Sequence, residues 1–551
     1  MLSYVFCSVY DPFFFDYDWF PLIFRQIHAL LLGFLFLYLC SVIRVGGAII
    51  YSVCLLFFSL CVYIYRTFRY SIGFDLIRAV FETNHEEASA FIGLYSVLTV
   101  AGYVALGVGV FWLFRRLTVR HRAILATCRP IRRWAFSFIT MVLWYGCLHI
   151  PSQIIALRPT LHFRFADNTL KADAEMFIPG HSNVLIEHWI WQYNNFAALR
   201  FGLRERFAPV YFDDAAEYSS KEIEGVGPDV LVLIIGESIR ANHLPVNGYN
   251  RNTLPKLIRR KNITFLNNMY SYGTSTYVSV EGIMTGLTQE KATPAFTSFL
   301  SILRKHGYHN IWVSENTYKI THSKRFHQLF GNCIDVSREL RMPMDEVSRS
   351  VLDLLNRDSK SKKCVIIENG TGHFPYRHDP EYSPFQPANI DWSDLNIVSK
   401  VNNELIINEY DNCIVCVDAM VDRLIEGLKD KKAVVLYCSD HGQKLGEQGR
   451  LMHGGGLNDL DLRHVASWIW LSDSYCERNK EIAENTPLLS EKILHQGQIY
   501  ASILKLCGIE SKVPLPVGDF WNDNITNHQN NLPVSIQNSF EKPGKSDENM
   551  R

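Results

Sequence analysis

The sequence predicts a helical membrane domain followed by an α/β domain, in which two helical layers cover a largely parallel sheet. The first third of the 551-residue chain holds long uncharged apolar runs, whereas the remainder alternates β-rich runs with helical patterns. Two of the β-rich runs stop abruptly at a carboxylate. Apolar runs of about 20 residues are long enough to cross a bilayer as helices. Alternating strands and helices are typical of a sheet covered on both faces.

The membrane domain is assigned to residues 1–150, with about four spans and Met1–Tyr10 as the remnant of a truncated fifth. The spans are Trp19–Ile43, Gly46–Tyr65, Ser89–Phe114 and Trp134–Ile150. Buried core helices of a soluble protein are the alternative, but several such runs separated by short charged loops are rare in soluble cores. The loop between the third and fourth spans carries seven arginines and no acid, which predicts that it is cytoplasmic. Everything after Ile150 then lies outside the cytoplasm.

Three further segments follow the membrane domain. Residues 151–218 are mixed and amphipathic, and we expect a connector on the membrane surface or a plain linker. Residues 219–522 form the predicted α/β domain, and the polar tail 523–551 is expected to be disordered. The candidate strands are Val230–Ile235, Asn310–Ser314, Cys364–Ile367 and Ala433–Cys438. A net charge of zero gives no indication of nucleic-acid binding.

The thirteen cysteines show no disulfide framework, although a compartment outside the cytoplasm would permit one. Cys413 and Cys416 have the spacing of a redox or zinc pair. They lie within the helical pattern Tyr410–Lys429, however, which favours two small buried side chains.

Polar residues at two strand ends indicate a metal site. Glu237 closes the first predicted strand of the α/β domain, and Asp440 with His441 closes the last. Parallel strands present such residues at one edge of a sheet. Zinc accepts this mixed set of oxygen and nitrogen ligands.

A hydroxyl-rich segment, Ser271–Val280, is the candidate source of a nucleophile. It leads into a helical pattern, whose first turn would direct backbone N–H groups at an incoming phosphate. Thr276 is the preferred nucleophile, with Thr274 and Ser275 as rivals, and an ordinary helix cap is the alternative interpretation. His373 and His453, in glycine-rich turns, are candidates for phosphate contacts, a second metal ion or proton transfer.

The predicted α/β domain, residues 219–522, is called the outer domain below. It resembles the phosphoethanolamine transferases of Gram-negative inner membranes, which belong to the alkaline phosphatase and sulfatase superfamily. The resemblance rests on ordered motifs across nearly the whole domain. They are Gly236-Glu-Ser-Ile-Arg240, Asn247-Gly-Tyr249, Thr253-Leu-Pro255, Gly273-Thr-Ser-Thr276, Trp312-Val-Ser-Glu-Asn316, Gly372-His373, Tyr410-Asp-Asn412 and Ser439-Asp-His-Gly442 followed by Leu445-Gly-Glu447 and His453.

The resemblance implies a role for each matched position. The implied ligands of a catalytic zinc ion are Glu237, Thr276, Asp440 and His441. The hydroxyl of Thr276 would attack phosphatidylethanolamine and carry phosphoethanolamine to a lipopolysaccharide or periplasmic glycan acceptor. The implied contacts to the donor or its phosphate, or to a second zinc ion for the two histidines, are Asn316, Thr83, Glu87, His373 and His453. The implied location is the inner membrane, with several spans and a periplasmic catalytic domain that also meets membrane lipid.

Several departures from the family pattern leave the acceptor open. Tyr272 and Gly282 stand where lipid A-modifying members have two cysteines, so the disulfide between those positions is absent. Glu281 stands beside Gly282 in place of a proline, Gln443-Lys444 replaces Glu-Ser, and Ala79 replaces an asparagine of the lipid-entry loop.

Three other interpretations account for parts of the sequence. A related transferase of another phospholipid headgroup, glycerophosphate, would use the same nucleophile and metal. An inactive relative that binds lipid or glycan predicts a missing ligand, whereas all four are present. Cys128-Arg-Pro-Ile-Arg132 matches the sulfatase signature for a formylglycine, but it lies in the basic cytoplasmic loop, far from the metal ligands.

Overall fold

The computed structural model describes most of the outer domain and part of the membrane domain. The described ranges are 94–126, 212–288, 294–314, 324–340, 344–388, 403–447, 451–453 and 459–522, with isolated residues between 49 and 59, at 390 and between 532 and 537. The first and fourth predicted spans lie outside these residues, as does the CxPxR motif. The connector lies outside them up to residue 211.

The described part of the membrane domain is one long helix, α1 (Leu94–Ala126), with a few residues packed against it. Tyr51 stacks on Phe111 with ring centroids 4.5 Å apart and donates its hydroxyl to the carbonyl of Gly107 at 3.0 Å. The helix runs on into the segment predicted as a basic loop. That part of the loop prediction is wrong, because 115–126 contains no glycine or proline that would end a helix. Within the described residues, no helix combines the length and apolarity required to cross a membrane.

A seven-stranded sheet forms the centre of the outer domain. The thirteen described strands are β1 (Ser220–Glu222), β2 (Val230–Gly236), β3 (Ile263–Phe265), β4 (Asn268–Tyr270), β5 (Tyr308–Ser314), β6 (Val336–Glu339), β7 (Lys362–Glu368), β8 (Ala433–Ser439), β9 (Lys444–Leu445), β10 (Leu451–Met452), β11 (Ser467–Leu471), β12 (Ile493–His495) and β13 (Ile509–Ser511). The order in the seven-stranded sheet is β3-β11-β8-β2-β7-β5-β6. The five strands from β8 to β6 are parallel, and β11 runs antiparallel to both neighbours.

Helices cover both faces of the sheet. The described helices after α1 are α2 (Thr276–Thr285), α3 (Phe299–Lys305), α4 (Lys324–Leu329), α5 (Met344–Arg357), α6 (Asn403–Leu428), α7 (Leu460–Arg463), α8 (Asp473–Arg478), α9 (Lys480–Asn485) and α10 (Ile499–Leu506). One apolar core joins α2, α3 and α10 to one face, and a second joins α5 and α6 to the other. The central strands are buried on both faces, which explains their near-continuous runs of Val, Ile and Leu.

The four predicted strands all occur in the sheet, each extended by one to three residues. Cys413 and Cys416 are buried in α6 and are not joined in a disulfide, as the interpretation of the pair as two small buried side chains required. The domain starts before the predicted boundary at residue 219, because Ala215 is fully buried in the first core. Within the segment predicted to be a disordered tail, Leu532 is buried against Tyr270.

Candidate metal centre and nucleophile

The turn after β2 carries Glu237 and has an unusual backbone at the next residue. Ser238 has a φ of 61°, in the left-handed region that residues other than glycine rarely adopt. The Ser238 amide donates to Oδ1 of Asp440 at 2.9 Å, and its hydroxyl donates to Oε1 of Glu237 at 2.7 Å. Tyr410 of α6 donates its hydroxyl to the Ser238 carbonyl at 2.7 Å and accepts the Arg240 amide at 2.8 Å. These bonds fix the turn that carries Glu237.

A glycine from the neighbouring strand end approaches the same turn. Gly372 follows β7 and has a φ of 109°, and a Cβ at this position would lie 2.2 Å from the carbonyl oxygen of Glu237. Only glycine allows both this conformation and this approach. Gly372 therefore sets the spacing between the Glu237 turn and His373.

The turn after β8 presents two further ligand atoms. Oδ1 of Asp440 accepts the amides of Ser238 and His441, whereas Oδ2 is buried without a hydrogen bond. Nδ1 of His441 lies 2.8 Å from the carbonyl oxygen of Gly442, so Nδ1 carries the proton and Nε2 keeps its lone pair. Burial lowers the pKa of His441, which favours the neutral imidazole that metals bind.

Thr276 is the first residue of α2, and its hydroxyl lies between the two turns. Its Oγ1 is 3.2 Å from Oε2 of Glu237 and 3.3 Å from Nε2 of His441. Ser275 occupies the N-cap position, yet its side chain makes no capping hydrogen bond. The alternative of an ordinary helix cap therefore does not explain the hydroxyl residues of this segment.

His453 joins the same cluster from β10. The ligand atoms of Glu237, His441 and His453 all lie within 4.8 Å of one another, and the rings of the two histidines are 4.0 Å apart. Nδ1 of His453 is buried without a hydrogen-bond partner, and burial lowers the pKa of this imidazole well below its ordinary value. His373 lies at the outer side of the cluster, with its ring 6.1 Å from that of His453.

These donors suit a divalent cation such as zinc. Carboxylate oxygens, neutral imidazole nitrogens and a hydroxyl converge from the turns after β2 and β8, the start of α2 and the end of β10. Unpaired buried atoms such as Oδ2 of Asp440 are costly unless something binds them.

Gln496 ties the nucleophile segment to β8, a role that the sequence analysis missed. Its Nε2 donates to the carbonyls of Ser439 and Asp440 at 2.7 and 2.8 Å, while its Oε1 accepts the amide of Tyr272 at 2.7 Å. A lone glutamine before a short helix carries no recognisable signal in the sequence. Only the folded chain shows its function as a bridge.

A network of charges adjoins the turn after β2, built around the buried side chains of Arg240 and Lys444. Arg240 donates to Glu447 at 2.6 Å and to Asp461, and Lys444 binds Asp461 at 2.7 Å and Asp459 at 2.9 Å. Lys444 pairs with Met452 in the strand that leads to His453. The network therefore connects the turn after β2 with both ends of the segment 453–459.

Glu368, at the end of β7, is a second residue without an earlier assignment. It is 6% exposed, and Nε1 of Trp312 donates to its carboxylate at 3.3 Å. Burial raises the pKa of Glu368 to about 8. A glutamate after an apolar run resembles Glu237 in sequence, and this pattern was the available signal.

The structure thus brings together six of the predicted site residues, namely Glu237, Thr276, Asp440, His441, His453 and His373. Thr83, Glu87 and Asn316 lie outside the described residues.

This fold and site define a protein of the alkaline phosphatase type, with candidate metal ligands at strand ends and a hydroxyl at a helix start. A sequence profile of the family described as Sulfatase matches residues 229–509, and one described as Phosphoethanolamine transferase EptA/EptB matches residues 30–157. The chain belongs to the sulfatase family, in the branch of the alkaline phosphatase superfamily that contains the phosphoethanolamine transferases.

Two curated relatives come from Escherichia coli (strain K12). Phosphoethanolamine transferase EptA is 25% identical over 357 residues, covering 60% of this chain and 61% of that protein. Kdo(2)-lipid A phosphoethanolamine 7''-transferase is 23% identical over 437 residues, covering 75% and 73%. The matched region thus spans about three fifths of the length of the first relative.

A solved structure shares the fold over most of the chain. The integral membrane protein lipooligosaccharide phosphoethanolamine transferase A from Neisseria meningitidis matches with a TM-score of 0.65 and 19% identity, covering 86% of both chains. This likeness confirms the predicted fold class, a helical membrane domain joined to an α/β domain.

Proposed function

We propose that this protein is a zinc-dependent phosphoethanolamine transferase that uses Thr276 as a covalent carrier. The donor is phosphatidylethanolamine, and the acceptor is a lipopolysaccharide or periplasmic glycan. One observation carries the proposal: the Thr276 hydroxyl lies 3.2 Å from Glu237 and 3.3 Å from His441, in a cluster where Oδ2 of Asp440 and Nδ1 of His453 are buried without hydrogen bonds. The names of the two Escherichia coli relatives, both phosphoethanolamine transferases, support the choice of headgroup.

The residues that would hold zinc are Glu237, Asp440, His441 and Thr276. A bound zinc ion lowers the pKa of an adjacent hydroxyl and offsets charge on phosphoryl oxygens. Thr276 donates to the Glu237 carboxylate, which orients its oxygen. That oxygen gives up its proton and forms a bond to phosphorus as the bond from phosphorus to the diacylglycerol oxygen breaks. The departing oxygen takes up a proton, so that diacylglycerol leaves as a neutral alcohol.

The second half of the reaction uses the same atoms in reverse. An acceptor hydroxyl or phosphate attacks phosphorus, and Thr276 leaves. His373 and His453 lie beside the cluster and are placed to contact phosphate or to move a proton to the departing oxygen. In this proposal Asn316, Thr83 and Glu87 contact the donor lipid.

The location follows from the same proposal. The chain lies in the inner membrane with several spans in 1–150, and 151–218 connects them to a periplasmic catalytic domain. A lipid donor requires a site beside the bilayer, which a membrane domain provides. The arginine-rich segment after Phe114 supports this orientation, because positive loops stay in the cytoplasm.

Donor labelling of the full-length protein tests the proposal. The protein in lipid nanodiscs is given phosphatidylethanolamine labelled in its ethanolamine, and protein-bound label and diacylglycerol are both measured. A parallel sample receives phosphatidylglycerol labelled in its headgroup. Thr276→Ala removes the hydroxyl, and Thr276→Ser is the matched control that keeps one.

We expect label from phosphatidylethanolamine on the native protein, slower labelling of Thr276→Ser and none of Thr276→Ala. A chelator should abolish labelling, and added zinc should restore it. Label from phosphatidylglycerol alone would replace the proposal with glycerophosphate transfer. Absence of label from both donors in a zinc-loaded sample would favour an inactive relative.

A further inference from the structure

Helix α2, which begins at Thr276, is held against α4 by two neighbouring contacts. The ring of Tyr277 stacks on that of Phe326, with centroids 5.1 Å apart and planes within 5°. One turn further on, Oε2 of Glu281 accepts Nε of Arg325 at 2.9 Å, and Oε1 accepts Nη2 of the same guanidinium. We call these two contacts the α2–α4 seam.

The seam uses the face of α2 that adjoins the nucleophile. Tyr277 and Glu281 are four residues apart, which places them on one side of the helix. Tyr277 directly follows Thr276, so the first contact lies at the reactive end. Because Ser275 provides no side-chain cap, the position of the first turn depends on tertiary contacts.

The ion pair in the seam is almost completely buried. The side chain of Glu281 is 5% exposed and that of Arg325 is 16% exposed. Transfer of two charges out of water costs several kcal/mol per ion, so such a pair contributes little net stability compared with apolar packing. Its two-pronged geometry is directional, however, which is the property required to fix an orientation.

We propose that Glu281 and Arg325 form a positioning pair that holds Thr276 within reach of the metal ligands. Oγ1 of Thr276 stands 3.2 Å from Glu237 and 3.3 Å from His441, and a displacement of the helix would lengthen both distances. A misplacement of about 1 Å at a reacting group lowers a rate about 100-fold. The proposal rests on the proposed function of Thr276.

The seam also has a defined place in the chain. Helix α4 begins directly after the segment 315–323, which carries Asn316. The pair therefore joins the nucleophile helix to a helix that follows Asn316 in the chain.

Single-turnover kinetics of the full-length protein test the proposal. The variants are Glu281→Gln, Arg325→Gln and the double variant, measured with labelled phosphatidylethanolamine. The rate of Thr276 labelling, the donor concentration at half-saturation and the zinc affinity are determined separately. Asp422→Asn is the control. Asp422 lies on α6, which packs on the opposite face of the sheet from α2, and the substitution weakens its partly buried ion pair with Arg260.

We expect each single variant to lower the labelling rate at saturating zinc about 10- to 100-fold, with an unchanged donor concentration at half-saturation. The double variant should be no slower than either single variant, because the two residues act as a unit. Asp422→Asn should label at the native rate. An unchanged rate in Glu281→Gln, or a rate that excess zinc restores to the native value, would overturn the proposal.

A crystal structure of Glu281→Gln gives a readout that does not require a reaction. We expect the first turn of α2 to move away from the ligands, so that Oγ1 of Thr276 leaves hydrogen-bond distance of His441. An unmoved helix would overturn the positioning role even if the native protein labels with neither phospholipid. Failure of the native protein to label, with a displaced helix in the variant, would count against the proposed function alone.

Discussion

Tyr410 connects the helix layer to the turn that carries a metal ligand, and its removal should weaken metal binding. Its hydroxyl donates to the Ser238 carbonyl at 2.7 Å and accepts the Arg240 amide at 2.8 Å. All three residues are buried, so Tyr410→Phe leaves a carbonyl and an amide without partners. Each such loss costs about 1–3 kcal/mol. We therefore expect a destabilisation of about 2–6 kcal/mol, centred on the turn.

Part of that free energy should appear as lost zinc affinity. Ser238 holds an unfavourable φ that only the surrounding bonds maintain, and Glu237 precedes it. If about 1.4–2.8 kcal/mol falls on the turn, zinc affinity drops about 10- to 100-fold. Competition with a chromogenic chelator on the full-length protein measures this directly.

Tyr475→Phe is the matched control for this prediction. Its hydroxyl also donates to a buried backbone carbonyl, that of Leu506 at 2.8 Å, but near the opposite edge of the sheet. It should lower the melting temperature and leave zinc affinity unchanged. If Tyr410→Phe lowered only the melting temperature as well, Tyr410 would not hold the Glu237 turn, and the reasoning would be refuted.

Three further substitutions test other parts of the site. Gly372→Ala places a Cβ 2.2 Å from the Glu237 carbonyl, so we expect labelling to fall at least 10-fold; near-native labelling would show that the turn can move freely. Lys444→Met removes the cation between two aspartates. The lost labelling rate, converted to free energy, should exceed the lost free energy of unfolding; equal losses would contradict a role in ordering the His453 segment. Glu368 keeps its proton up to about pH 8 in the folded protein, whereas the unfolded chain releases it near pH 4.5. The free energy of unfolding therefore falls as pH rises between these values, by up to about 1.4 kcal/mol per pH unit. Glu368→Gln should remove that loss, which melting temperatures of both proteins at pH 5 and pH 8.5 would show; parallel curves would contradict it.

The sequence predicted the sheet and the residues at its edge because both follow from local patterns. A parallel strand buried on both faces reads as an uninterrupted apolar run, as in β2 and β8. Polar residues that end such runs must meet at one edge of the sheet, which brings Glu237 close to Asp440 and His441. The start of α2 at Thr276 was also readable from its hydroxyl and glycine residues.

The supports of the site could not be predicted in this way. Gln496 lies more than fifty residues beyond the strand end that it contacts, and its role depends on where α10 begins. Glu281 and Arg325 meet only because α4 packs on α2, and neither residue belongs to a periodic pattern that indicates the pair. Long-range polar contacts of this kind depend on the completed packing rather than on local sequence.

Tandem mass spectrometry that locates the covalent group tests the central claim most directly. The full-length zinc-loaded protein reacts briefly with labelled phosphatidylethanolamine, is quenched in acid and digested, and the peptide that contains α2 is sequenced. We expect phosphoethanolamine on Thr276 in the native protein and in Thr274→Ala, and on no residue in Thr276→Ala. Modification of Thr274 or Ser275, or an adduct that persists in Thr276→Ala, would contradict it.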